Sequence, residues 1–129
     1  MKLPHRVWAL TCIALALAAC DSEALLGPDA AQGIDGLVML GPQCPVATPD
    51  DPCPDLPYQA TITILNRKQN VVTVVESGSD GTFRVGLEPG LYILSPEQGD
   101  PFPTATEKVV DVQAGVWATV TINYDTGIR

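Results

Sequence analysis

Between Val116 and Tyr124 every second residue is apolar: Val116, Ala118, Val120, Ile122 and Tyr124 alternate with Trp117, Thr119, Thr121 and Asn123. A two-residue period puts all the apolar side chains on one face of a pleated strand, and a helix would scatter them. This stretch therefore demands a sheet with one buried face, and the rest of the chain has to supply its partners. Ala60 to Leu65 alternates Ala60, Ile62 and Ile64 against Thr61 and Thr63, while Val71 to Glu76 is rich in β-branched residues. Thr82 to Leu87 sets Phe83, Val85 and Leu87 opposite Arg84. Leu37–Leu40, Leu91–Leu94 and Glu107–Val112 bring the set to seven strands. Asn66–Asn70, Ser77–Gly81, Glu88-Pro89-Gly90 and Gln113-Ala114-Gly115 are the turn signals between them. Without a helix-period segment in the domain, the expected fold is all-β, an antiparallel seven-stranded β-sandwich.

One stretch is expected to leave no ladder at all. Residues 41–58 hold Pro42, Pro45, Pro49, Pro52, Pro54 and Pro57, half of the 12 prolines in the chain. Proline lacks the ladder donor, so a long stiff loop is expected here. Ser95 to Thr104, with Pro96, Pro101 and Pro103, reads as a second irregular loop.

The N-terminus has a different grammar. Lys2, His5 and Arg6 precede an apolar run of 13 residues, Val7 to Ala19, which is shorter than a membrane-spanning helix requires. Leu17-Ala18-Ala19-Cys20 then resembles the lipobox of bacterial lipoprotein signal peptides. That resemblance implies cleavage before Cys20 and a diacylglycerol and acyl lipid on its thiol. Asp21 beside it resembles an inner-membrane retention signal. The division expected is a signal peptide over 1–19, a lipid-anchored flexible linker over 20–35, and the sandwich over 36–129 with the Pro-rich loop 41–58 inside it. Cleavage removes Lys2 and Arg6 and none of the 15 acidic residues, taking the net charge from −8 to −10. Nucleic-acid binding needs the opposite sign, and adsorption to anionic lipid is disfavoured as well, so attachment falls to the anchor.

The four cysteines sort themselves on this reading. Cys12 leaves with the signal, Cys20 takes the lipid, and Cys44 and Cys53 remain to pair in an oxidising compartment. A closed loop of about 10 residues stabilises a fold by roughly 2–3 kcal/mol on the chain-entropy account.

Ser79-Asp80-Gly81-Thr82-Phe83-Arg84-Val85 and Leu87-Glu88-Pro89-Gly90-Leu91-Tyr92 resemble the strand–turn signatures of carboxypeptidase-regulatory-like domains. Ala60 to Ile64, Val110-Asp111-Val112, Gly115 and Val120-Thr121-Ile122 fit the same pattern, over about residues 35–125. The resemblance implies a transthyretin-like (prealbumin-like) or Cna-B-like sandwich, and Pro89-Gly90 lets Tyr92 bury its ring while its hydroxyl reaches a backbone partner. The Pro-rich loop departs from the pattern.

Catalysis has little to work with. His5, the single histidine, leaves with the signal, so no Ser-His-Asp or Cys-His constellation and no zinc site can be assembled in the mature chain. No catalytic residue, metal ligand or enzyme activity is expected. Asp50, Asp51 and Asp55 are read as partner-binding residues on an exposed loop. Calcium is the rival ligand for these hard-oxygen donors, although their spacing matches no EF-hand or RTX loop. Trp117 points outward among threonines, where it would stack on a sugar or anchor a partner, unless the Ser95–Thr104 loop with Phe102 covers it. A Lys–Asn isopeptide bond of the Cna-B type would need Lys108 and Asn123, and the phase sets Asn123 outward. The expected function is a non-enzymatic, membrane-anchored, extracytoplasmic binding or accessory module with an envelope protein or glycan as partner. The alternatives are a structural spacer, or a carbohydrate- or calcium-binding domain.

Overall fold

A computed structural model describes residues 24–27 and 29–129; the expected signal peptide and Cys20 lie outside the described residues. The strands are β1 (Leu25–Leu26), β2 (Gly33–Gly41), β3 (Leu56–Pro57), β4 (Thr61–Asn66), β5 (Val71–Glu76), β6 (Thr82–Leu87), β7 (Gly90–Pro96), β8 (Lys108–Val112) and β9 (Trp117–Asp125). They make two sheets. In the first, β6 lies between β1 and β2, while β3 and β9 also pair with β2; the second runs β5-β4-β7-β8. The two sheets close over one core in which Ile34, Val38, Ile62, Ile64, Leu87, Leu94 and Ile122 are wholly buried.

The β-sandwich expected from the alternation is the fold observed, and each of the seven strands is present. Two features go beyond it. β9 runs parallel to β2 over nine register pairs, Gly33↔Trp117 to Gly41↔Asp125. A parallel neighbour requires a crossover, and here the chain visits the second sheet twice, in β4–β5 and β7–β8, before β9 returns beside β2. Two short strands, β1 and β3, add pairs that no period could announce.

The N-terminal boundary moves. Within the flexible linker expected over 20–35, Leu25 and Leu26 pair with Leu87 and Gly86, and Ile34 is core. The cause is parity: Ile34 continues the inward set of Gly36 and Val38, so β2 extends back to Gly33 and pairs with both β6 and β9. Val116 also differs. It stays 52% exposed, because the Gln113–Val116 turn closes first, with the Val116 N–H donating to Gln113 O at 3.2 Å.

Register sorts the loops to two ends. The chain enters at Ala24, whose carbonyl accepts the Glu88 N–H at 2.7 Å. The Asn66–Asn70, Glu88–Pro89 and Gln113–Val116 turns share this entry end. The Pro-rich loop, the Ser77–Gly81 turn and the Glu97–Glu107 segment lie at the other. There Gly81 takes a φ of 78°, and Thr82 donates from both N–H and Oγ1 to Asp80 Oδ1 at 3.0 and 2.8 Å. Those bonds hold the Asp80 carboxyl below its usual range.

Candidate functional site

The Pro-rich loop is rooted on β2 at both ends. It leaves at Gly41 and returns beside the same strand, with Leu56 and Pro57 opposite Leu40 and Met39 and the Tyr58 N–H donating to Val38 O at 3.0 Å. The expectation that such proline density leaves no ladder is corrected here, since Pro57 needs no N–H at an edge position. Ser77, 1% exposed, closes the root: its Oγ donates to Tyr58 O at 2.8 Å and accepts from the Ala60 N–H at 2.8 Å.

Cys44 and Cys53 are disulfide-bonded across the neck of the loop, with Cα atoms 6.0 Å apart. Beyond the staple, Thr48 and Asp51 exchange backbone hydrogen bonds of 2.8 and 3.1 Å, and Thr48 Oγ1 accepts a third from the Asp51 N–H at 3.0 Å. Below it, Gln43 Nε2 donates to Leu40 O at 2.6 Å and Thr126 Oγ1 to Pro42 O at 2.6 Å. The tip is thus held by its own bonds and carries Pro45 to Pro52 into solvent.

Asp50 and Asp51 sit at this tip, while Asp55 lies outside the staple with its carboxylate against Gly41. Among the described residues, no three His, Cys, Asp or Glu side chains gather as a metal-binding group. Trp117 lies at the entry end on the outer face of the first sheet, far along β9 from the loop. Its cover is not Phe102: the Arg84 guanidinium carbon sits 3.7 Å above the ring centroid, and Arg84 Nε is 3.5 Å from Asp35 Oδ1. The ring edge rests over Gly33. A sugar would have to displace Arg84 to stack there. Lys108 and Asn123 belong to different sheets, and Asn123 faces solvent.

Beside the loop root lies a feature that sequence reading missed. Leu40, Tyr58, Phe102, Pro103 and Thr126 line an open cleft of about 210 Å³. Tyr58 meets Tyr124 edge-on behind it, ring centroids 5.0 Å apart. The Tyr124 hydroxyl donates to Glu97 O at 2.7 Å and so ties the Ser95–Thr104 loop to β9. Burial, then the Glu97 carboxylate and Tyr58, push the Tyr124 hydroxyl up from 10.0 to about 12. An acid with a raised folded-state pKa contributes stability that is complete below pH 10 and lost as pH climbs through about 12. A spectrophotometric titration should therefore show a late tyrosine that is absent from Tyr124→Phe, and that variant should lose less stability than the parent across this window.

No family model matches the chain, and no curated protein matches it. Among solved structures, the chain is similar to the backbone protein of pilus 2b from group B streptococcus, with 14% identity and a TM-score of 0.43. The match covers 72% of this chain and 41% of that one, so the chain spans well under half the length of that structure.

Proposed function

We propose that the chain is a non-enzymatic, lipid-anchored module outside the cytoplasm, built on a carboxypeptidase-regulatory-like sandwich, which binds an envelope partner through its loop end. The observation that carries this reading is the stapled loop itself. A proline-dense segment, closed by a disulfide and rooted on the central strand β2, stands at the end of the sandwich opposite the chain's entry. A segment ordered in advance loses less conformational entropy on association than a mobile one. Its exposed Asp50 and Asp51 supply charge, and the adjoining cleft under Phe102 and Tyr58 supplies apolar and aromatic surface of the kind that anchors interfaces. The disulfide supports an oxidising compartment. The lipobox-like Leu17 to Cys20 supports the anchor.

The test is crosslinking in intact cells, comparing the native chain with one whose residues 42–57 are replaced by a short Gly/Ser loop. A defined partner should be captured by the native chain and lost from the variant, with the sandwich still folded. An unchanged and diffuse set of neighbours would make the domain a spacer rather than a recognition module.

A further inference from the structure

The outer face of the second sheet is unusually apolar at one end. Register places Leu65 opposite both Val71 and Ile93, and Ile93 opposite Val109, so Val71, Leu65, Ile93 and Val109 form one row across all four strands. Their chain neighbours Ile64, Tyr92, Leu94 and Val110 are buried in the core, which turns the row outward. Val71 and Val109 are 61% and 65% exposed, and Leu91 and Val74 extend the surface. A sheet face left to water normally carries polar residues, and a continuous apolar band marks a surface that something covers. The band lies toward the entry end, where the Asn66–Asn70 turn sets Arg67 and Lys68 on its rim. Asp111, which lies beside Leu91, accepts a hydrogen bond from Gln113 at 2.8 Å.

We propose that this face rests on the lipid bilayer that holds the anchor; the inference deepens, and depends on, the Cys20 lipidation proposed above. The chain joins the sandwich at Ala24, so only Asp21, Ser22 and Glu23 separate the fold from Cys20. Four residue steps span at most about 14 Å when fully extended. A lipid on Cys20 would therefore keep the entry end against the headgroups instead of letting the domain swing free. β1 lies outside β6 at the edge of the first sheet, so the leash leaves the entry end beside that edge. Arg67 and Lys68 on the rim suit phosphate headgroups. Asp50, Asp51, Asp55, Asp80, Glu97 and Asp100 lie toward the other end, while Glu88 and Asp111 stay at the entry end and Asp21 and Glu23 on the leash. Leaning on the second sheet lifts the Cys44–Cys53 loop, which springs from the first, away from the membrane.

The test uses the full lipidated chain, purified from membranes and placed in vesicles of phosphatidylcholine and phosphatidylglycerol. Nitroxide labels go on Val71→Cys, Val109→Cys and, at the loop tip, Thr48→Cys. Collision with a water-soluble nickel chelate should fall roughly tenfold at 71 and 109 relative to 48, because the headgroup–acyl boundary excludes the chelate. If the protein floats with the vesicles while all three labels stay equally open to the chelate, the anchor stands and the contact is overturned. Protection at 71 and 109 that appears in detergent without vesicles, and rises with protein concentration, would assign the face to a second copy and overturn it too. A chain whose N-terminal peptide bears no lipid and which stays out of the vesicles removes the anchor reading and this inference with it.

Discussion

Gly36→Val is expected to destabilise the domain by about 3 kcal/mol, since overfilling a packed core costs roughly 1–3 kcal/mol and sometimes more. Gly36 faces inward between Ile34 and Val38, and the ring of Phe83, its register partner, occupies the space a Cβ would take. Neither side can give way cheaply. β2 is held by β6 on one flank and by nine register pairs with β9 on the other, so its backbone has nowhere to move. The Phe83 ring is 6% exposed and packed among core residues. Urea titration should show a lower midpoint with an unchanged slope. Adding Phe83→Leu to Gly36→Val should recover part of the loss, because the two side chains compete for one volume. Equal stabilities for Gly36→Val and the parent would mean that the β2–β6 register is wrong.

Gly36 also marks where sequence reading stops. The alternations in Ala60–Leu65, Thr82–Leu87 and Ala118–Tyr124 identified the inward faces because a two-residue period leaves one choice of face. Strand direction has no such signature, so the parallel run of β9 beside β2 was invisible in the composition of either. β1 is two leucines before a glycine, too short to carry a period, and its pairing emerges only once β6 presents an edge. The outward phase of Trp117 was legible, but the Arg84 above it follows from the registers of β2 with β6 and of β2 with β9 together. The loop-end cleft is drawn from four separate stretches of chain, at Leu40, Tyr58, Phe102-Pro103 and Thr126, which only the closed sandwich brings together. The Cys44–Cys53 pair was legible for another reason, that the lipobox-like segment and its signal accounted for the other two cysteines.

The second large effect concerns attachment. Cys20→Ala is expected to move the processed protein from the membrane fraction to the soluble extracytoplasmic fraction. The native N-terminal peptide should begin at Cys20 and carry the mass of its acyl lipid. The apolar row on the second sheet cannot replace that anchor. Even a whole myristoyl chain gives only marginal, reversible membrane binding, and a few half-exposed valines and leucines bury less than that. Nor can charge, because the mature chain would carry 15 acidic residues against 5 basic ones and repel anionic headgroups. On the proposed reading, the lipid would hold and the sheet face would orient. Processed Cys20→Ala protein that stays with the membrane would reverse it, making protein contacts the principal attachment and the lipobox resemblance incidental. Release would leave the short leash at Ala24 as the element that sets how far, and in which direction, the Cys44–Cys53 loop is presented.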